Sequence, residues 1–189
     1  MSEKMIQQVM TEPGRITFRE IDIPQVQADQ VLVKIKRIGV CGSDIHVYHG
    51  EHPYTSYPVT QGHEVSGKIV KTGEYVKNFK EGQKVTIEPQ VFCGRCYPCL
   101  HGKYNLCENL KVMGFQTTGT ASEYFAVDAS KVTALPETMS YDEGAMIEPL
   151  AGRVEEPLAR LHPHGTGRAV FRHPALHVIV SKQSCPCIC

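Results

Sequence analysis

The chain has 189 residues, of which 41% are hydrophobic, so it is long enough for one domain with a sizeable core, or for one domain and part of another. Its 20 lysines and arginines balance its 20 aspartates and glutamates, so no net field favours nucleic acid or an anionic membrane as a partner. No apolar run approaches the ~20 residues of a membrane span, and Glu3 and Lys4 stand where a signal peptide would be apolar. These features predict a soluble, cytoplasmic protein.

Most of the chain up to residue 150 predicts short β-strands separated by turns. Alternating apolar and polar positions rich in β-branched residues, typical of half-buried strands, occur at 16–21, 31–38, 64–71, 84–88, 122–127 and 131–135. Two short helices are predicted, at 43–49 with Ser43 as a cap, and at 140–147, where Ser140 and Glu143 have capping-box spacing. The pattern predicts a mainly β domain with barrel-like closure and few short helices.

Four of the eight cysteines lie within fifteen residues, at Cys93, Cys96, Cys99 and Cys107. This spacing allows four thiolates to reach one tetrahedral ion, and Gly94 and Gly102 permit the tight turns that such a loop needs. Because a closed shell of four thiolates leaves no position for a substrate, we predict a structural zinc ion. The alternatives are unligated or disulfide-bonded cysteines and an iron–sulfur cluster, although the sequence lacks a ferredoxin run ending in Cys-Pro.

A second group of residues has the chemistry of an open metal site. Cys41 follows a predicted strand, and His63 and Glu64 precede the next one. A thiolate, an imidazole and a carboxylate are typical of catalytic zinc sites, which have three protein ligands and one position left open. Taken singly, the residues indicate little, because a lone cysteine is commonly a small buried residue and a lone histidine a hydrogen-bonded one.

Four motifs occur together in one order: residues 39–46 (GVCGSDIH), residues 62–64 (GHE), the group of four cysteines, and residues 147–150 (IEPL). In this combination the chain resembles the medium-chain zinc alcohol dehydrogenases over about residues 5 to 150. The element beginning at Glu148 is similar to that of the sorbitol, polyol and threonine dehydrogenases. The resemblance implies a GroES-like β-barrel catalytic domain with one catalytic and one structural zinc ion. It also implies oxidation of a polyol or another secondary alcohol with NAD or NADP, and homo-oligomers among full-length relatives.

The resemblance further implies which residues bind the catalytic zinc. Cys41, His63 and Glu64 would be ligands, and Glu148 would bind directly or through water. Glu64 and Glu148 would alternate at the metal. The zinc-free quinone reductases are a related alternative, which the presence of Cys41, His63 and the four cysteines disfavours.

By the same resemblance, Ser43 contacts the substrate hydroxyl and His46 passes its proton toward solvent. The alternatives are that Ser43 only caps a turn and that His46 only faces water. Asp44 is expected to be a structural hydrogen-bond acceptor, and His49, His52 and His101 are expected to be surface residues.

Residues 151–189 have a different composition, with one lysine but four arginines, four histidines and four prolines. Gly165 and Gly167 supply two glycines of a dinucleotide fingerprint without its third small residue. We therefore expect that this chain lacks the Rossmann domain and that residues 151–189 are an atypical tail produced by a frameshift or truncation. Short strands are predicted at 169–171 and 176–180.

Two functional hypotheses follow from the sequence. In the first, the chain is a polyol dehydrogenase catalytic domain that binds zinc but is inactive alone because the cofactor domain is missing. In the second, it is a non-catalytic, zinc-stabilised binding or scaffold module. The last three cysteines of the chain, Cys185, Cys187 and Cys189, are expected to have no specific role, the alternatives being that they bind stray metal or cross-link chains.

Overall fold

The computed structural model describes residues 3–151. Its strands are β1 (Lys4–Glu12), β2 (Arg15–Asp22), β3 (Gln30–Ile38), β4 (Val65–Thr72), β5 (Lys84–Ile87), β6 (Gln90–Val91), β7 (Lys111–Val112), β8 (Tyr124–Asp128) and β9 (Val132–Ala134). Its helices are α1 (Gly42–His49), α2 (Tyr97–Leu100) and α3 (Tyr141–Ala145), with 3₁₀ turns at Tyr104–Leu106 and Ala129–Lys131. The described chain is mainly β, as predicted, and none of its helices has the length and apolarity to cross a membrane. The strands predicted at 169–171 and 176–180, and the pair Gly165 and Gly167, lie outside the described residues.

Five antiparallel strands form the main sheet, in the order β8-β3-β4-β5-β9. Its two outer strands, β8 and β9, are joined by only the three residues Ala129–Lys131. In a flat sheet, four strand spacings would separate these edges by ~19 Å, whereas the four residue steps from Asp128 to Val132 span at most ~14 Å. The sheet therefore curls, which gives the domain a barrel-like curvature.

The main core lies against this sheet and consists largely of β-branched residues. Side chains at alternate positions of a strand point to the same face, and Val31, Val33, Val65, Ile69 and Val85 are each 0% exposed. Because these strands place β-branched residues at inward positions, the local sequence pattern was sufficient to predict all five strands of the sheet to within about two residues at each end.

Strand β1 was not predicted, because its sequence interrupts the apolar alternation with glutamines. It pairs with β2 in an antiparallel hairpin in which Gln7 lies opposite Arg19. Met5, Gln7 and Val9 are all buried. Gln7 therefore faces inward, although a polar residue at this position predicts an exposed side chain. Met10 joins the hairpin to the rest of the domain through a bridge to Val59.

Helix α1 begins one residue before its predicted start, and its N-cap is Cys41. The predicted cap at Ser43 is therefore wrong: Ser43 lies buried within the first turn. The Asp44 carboxylate accepts a hydrogen bond from the Cys41 N–H and so completes the turn. Helix α3 has the predicted cap, with Ser140 accepting from the Glu143 N–H, but it ends at Ala145.

Candidate metal centres

Cys41, His63 and Glu64 meet at one end of the pair formed by β3 and β4. Ile38, the last residue of β3, lies opposite Val65, the first residue of β4, so the segments that leave β3 and enter β4 start side by side. The Gly39 N–H donates to the Glu64 carbonyl over 2.7 Å, which extends this contact beyond the strands. The candidate ligand atoms of the three residues all lie within 4.8 Å of one another. We call this group the open site.

The open site gathers acidic groups whose pKa values are raised by burial. Burial raises the pKa of the Cys41 thiol to about 11, and the nearby Glu64 and Asp44 carboxylates act in the same direction. Burial also raises the pKa of Glu64, with a further contribution from Asp44. A divalent cation reverses this situation, because a coordinating thiol loses its proton and neighbouring carboxylates are stabilised as anions. The donor set therefore fits a divalent cation.

His63 has the features of a metal ligand that needs a partner. Its side chain is 5% exposed, and burial lowers its pKa, which favours the neutral imidazole that metals bind. Its Nδ1 atom is buried and has no hydrogen-bond partner among the described residues. The carboxylate oxygen Asp44 Oδ1 is 3.9 Å from this atom, beyond hydrogen-bond distance. A buried polar atom without a partner costs free energy, and coordination of the His63 imidazole to a cation would offset that cost.

Asp44 and Gln61 connect the parts of the chain that carry the three candidate ligands. Gln61 Nε2 donates to the backbone oxygen of Asp44 over 3.0 Å and to its Oδ1 over 3.2 Å. Asp44 in turn accepts from the Cys41 N–H over 3.0 Å. Burial raises the pKa of Asp44, and the surrounding donors oppose that rise. Asp44 is thus a structural acceptor, as expected, and Gln61 is a positioning residue that the sequence did not reveal.

Ser43 and His46 lie on the same side of α1, because residues three apart are neighbours on a helix. Ser43 is buried, and its N–H and side chain hydrogen-bond to Cys41, which lowers the pKa of that thiol against the effect of burial. His46 is 52% exposed, and its Nδ1 lies 3.2 Å from Glu51 Oε2. Ser43 and His46 therefore lie on a path that leads from the open site to the surface.

Glu148 is outside the group of three ligands. It follows α3 and is half-buried beside a cavity of about 300 Å³ that it lines together with Thr86 and Ile87. Burial raises the pKa of Glu148 to about 7, and the negative charges of Glu64 and Asp44 contribute to the rise. The structure thus brings Glu148 near enough to Glu64 for electrostatic interaction, but three candidate ligands, and not four, form the compact group.

The second centre consists of Cys93, Cys96, Cys99 and Cys107, whose sulfur atoms also lie within 4.8 Å of one another. We call it the closed site. The Sγ atoms of Cys96 and Cys99 are 3.3 Å apart, far beyond the ~2.05 Å of a disulfide bond. The alternative of disulfide-bonded cysteines is therefore wrong for these four residues. Gly94 and Gly102 have left-handed φ angles of 69° and 71°, as the predicted turns require.

Backbone N–H groups point at the sulfurs of the closed site. The Cys93 and Asn109 N–H groups donate to Cys107 Sγ over 3.3 and 3.4 Å. Hydrogen bonds from the Arg95 and Cys96 N–H groups lower the pKa of Cys93 to about 6, whereas burial and the neighbouring thiols raise the pKa of Cys99 to about 12. A divalent cation would hold the four sulfurs together as thiolates, and N–H donors that moderate such charge are typical of metal–thiolate loops.

Phe115 is a further residue of the open site that the sequence did not reveal. Its ring is 5% exposed, packs at a tilt against His63 with 5.0 Å between the ring centroids, and stacks on His52 at 4.6 Å. Burial lowers the pKa of His52. His52 was expected on the surface but is half-buried, whereas His49 and His101 are exposed as expected. Only the fold brings residue 115 beside residue 63, so no local signal could identify it.

Comparison with known proteins agrees with this geometry. Residues 27–137 match the model of the alcohol dehydrogenase GroES-like domain, so the chain belongs to that family and the predicted resemblance is confirmed. The relatives include threonine, polyol-phosphate and zinc-type alcohol dehydrogenases. Solved relatives include dehydrogenases with NADP bound and with cobalt and zinc bound.

Three relatives illustrate the extent of the similarity. The starvation-sensing protein RspB of Escherichia coli is 40% identical over 75% of this chain and 42% of its own length. L-threonine 3-dehydrogenase of Pyrococcus horikoshii is 34% identical over 84% of this chain and 47% of its own. The crystal structure of galactitol-1-phosphate dehydrogenase from Escherichia coli superposes with a TM-score of 0.76 at 35% identity, covering 82% of this chain and 45% of that one. The chain thus spans slightly less than half the length of the relatives it matches.

Proposed function

We propose that this domain binds a catalytic zinc ion at the open site and a structural zinc ion at the closed site, as part of a polyol-type dehydrogenase. The reaction is the oxidation of a polyol or another secondary alcohol, with NAD or NADP as the hydride acceptor. The observation that carries the proposal is the open site itself: a thiol, an imidazole and a carboxyl whose ligand atoms lie within 4.8 Å. The domain is proposed to be inactive alone.

The two sites differ in a way that suits these two tasks. The closed site offers four sulfurs and leaves no ligand position vacant, as structural zinc sites do. The open site offers three side chains, which leaves a position for a hydroxyl group. When bound there, zinc supplies Lewis acidity, which lowers the pKa of that hydroxyl. Cys41, His63 and Glu64 hold the ion, and Asp44 and Gln61 fix the backbone that carries them. Glu148 is proposed as a ligand that replaces Glu64 at intervals or acts through water.

Ser43 and His46 are proposed to move the proton that the hydroxyl loses. Ser43 is buried next to Cys41, where its hydroxyl can exchange its present bond for one to the substrate. His46 stands one helical turn further toward solvent, and Glu51 Oε2, 3.2 Å from its Nδ1, orients the ring and stabilises it when protonated. Phe115 covers His63 and keeps water from that side of the ring.

Metal content separates the two centres. We expect the purified, reduced chain to contain about two zinc ions, one for each site. Cys41→Ser should lose one ion while the domain stays folded, because an open site contributes less to folding than a closed one. Cys99→Ser is the matched control: it makes the same change in the closed site and should remove the other ion. Elemental analysis after gel filtration measures the zinc content of both variants. A Cys41→Ser protein that still contains two zinc ions would contradict the assignment of the open site.

The proposed reaction requires a nicotinamide-binding domain, so a chimera that carries one tests it. Such a domain, taken from a relative and joined after Leu150, should restore NAD- or NADP-dependent oxidation of a secondary alcohol. The restored activity should depend on Cys41 and fall in a His46→Gln variant chiefly at low pH, where proton release limits the rate. A folded, zinc-loaded chimera with no turnover would instead favour a zinc-stabilised binding or scaffold module.

A further inference from the structure

A cavity of about 510 Å³ adjoins the open site on the side of the β1–β2 hairpin. Its walls are the hairpin, through Val9 and Arg19, the segment 54–60, and the segment 115–118. Phe115 belongs to both places, because it lines this cavity and its ring packs against His63. We call it the hairpin cavity. Its volume is within the ~300–1,000 Å³ of sites that hold small molecules.

The lining of the hairpin cavity has the chemistry of an anion site. Arg19 is the only charged side chain among the lining residues. The other polar groups are the Gln116 amide and several hydroxyls, including those of Ser56, Thr60 and Thr118. No carboxylate lines the cavity, and within residues 3–151 none lies within salt-bridge distance of Arg19. Its positive charge is therefore not neutralised by the described part of the chain.

The hairpin holds the Arg19 side chain in position. Arg19 lies directly opposite Gln7 in the antiparallel register, and opposite residues project to the same face. Gln7 is buried, and its Oε1 accepts hydrogen bonds from both Nε, at 3.0 Å, and Nη2, at 2.6 Å. These bonds orient the planar guanidinium and leave the N–H groups of Nη1 and the second N–H of Nη2 for a ligand. Guanidinium groups fixed in this way bind carboxylates and phosphates well, because their donors match the spacing of the oxygens.

We propose that the hairpin cavity binds an anionic group, a carboxylate or a phosphate, and that Arg19 is its principal ligand. We further assign this group to the charged end of the substrate, whose hydroxyl lies at the open site. This second statement rests on the proposed function, whereas anion binding by the cavity does not. Arg19 would then decide which alcohols are accepted, by selecting those that carry a negative charge.

Anion binding is measured on the chain itself, with inorganic phosphate and acetate as probes. Each is titrated against chloride at constant ionic strength, and the backbone amide resonances of Gln116 and Thr118 are followed by NMR. We expect saturable shifts. Arg19→Gln, which keeps a donor for Gln7, should weaken binding about ten-fold or more, as the loss of a charge-assisted hydrogen bond does. Arg15→Gln is the matched control, because Arg15 lies on the same hairpin but outside the cavity lining, paired with Glu12.

The outcomes decide between the alternatives. Tighter binding of phosphate indicates a phosphate ester, and tighter binding of acetate a carboxylate. Equal affinities in the wild type and Arg19→Gln, or no saturable shift with either anion, would overturn the proposal. Thr118→Val provides an independent check, since it removes a hydroxyl from the opposite wall and should also weaken binding. Binding should persist in Cys41→Ser, so failure of the metal assignment and failure of the anion site are distinguishable.

The link to the substrate is tested with cobalt in place of zinc at the open site. Glycerol phosphate and glycerate should perturb the visible spectrum of the cobalt at lower concentrations than glycerol, because the anionic group tethers the hydroxyl near the metal. Arg19→Gln should remove that difference, and Arg15→Gln should not. If all three compounds perturb the cobalt spectrum of the wild type at equal concentrations, the hairpin cavity does not bind part of the substrate whose hydroxyl lies at the open site.

Discussion

Replacing Gly119 by alanine tests whether close backbone packing positions the open site. Gly119 lies against the segment that carries His63, and its N–H donates to the Thr60 carbonyl over 2.8 Å. An added Cβ would meet the carbonyl group of Gln61 and would lie 2.7 Å from Gly114 Cα, closer than the 3.0 Å that real Cβ atoms keep. All of these neighbours are backbone atoms, so no flexible side chain can move aside. The segment before His63 must shift instead.

The size of that shift sets the expected effect. Ordinary contact begins at 3.4 Å, so the contact with Gly114 Cα requires a movement of 3.4 − 2.7 = 0.7 Å, and the contact with the Gln61 carbonyl group, in the segment that leads to His63, is closer and requires a larger one. Overpacking of this kind destabilises a domain by about 1–3 kcal/mol. Metal–ligand distances tolerate only about 0.2 Å, and disturbing the residues that support a ligand lowers metal affinity about 10- to 100-fold. We therefore expect Gly119→Ala to lower both the stability and the metal affinity of the open site, and to leave the closed site loaded.

Urea denaturation and metal content after dialysis against a chelator measure the two effects. With a slope of about 1–3 kcal/mol per molar urea, the unfolding midpoint should fall by about 1 M. Gly42→Ala is the matched control. It makes the same change beside Cys41, but its Cβ meets nothing within 4 Å, and alanine favours a helix over glycine. If Gly119→Ala unfolds at the wild-type midpoint and retains two metal ions, the packing argument is refuted.

Two further changes test the core and the helix cap. Ile69→Ala deletes a side chain that is 0% exposed and should cost about 2–5 kcal/mol in urea denaturation, whereas Ile16→Ala, at an exposed position, should stay within about 0.5 kcal/mol. Ser140→Ala removes the cap of α3 and should cost about 1 kcal/mol. Hydrogen bonds from the Ser140 N–H and hydroxyl lower the pKa of Glu143, so their stabilisation is present at neutral pH and is lost as pH falls through that lowered pKa. The difference between wild type and Ser140→Ala should therefore shrink in acid, and an undiminished difference there would contradict the capping box.

Local patterns predicted the strands whose inward positions are β-branched, and they missed those whose burial depends on a distant partner. Strands β3 and β4 repeat valine and isoleucine on the side that faces the core. In β1, Gln7 faces inward because Arg19 occupies its side-chain oxygen, a contact that no pattern within residues 4–12 contains. The cap of α1 was misplaced for a similar reason: serine is the commoner cap, but the turn is closed by Cys41 and Asp44.

The sequence by itself indicated the chemistry available to this chain: which side chains could bind a metal, that four cysteines are spaced as one closed set, and that the chain resembles the zinc-type alcohol dehydrogenases. These conclusions depend on residue types and short spacings, which a linear sequence displays directly. Only the tertiary structure decided that Cys41, His63 and Glu64 are neighbours while Glu148 stands apart, and that Phe115 and Arg19 border the same cavity. Such neighbours are set by the pairing of β3 with β4 and of β1 with β2, because strand pairing brings together residues that are far apart along the chain.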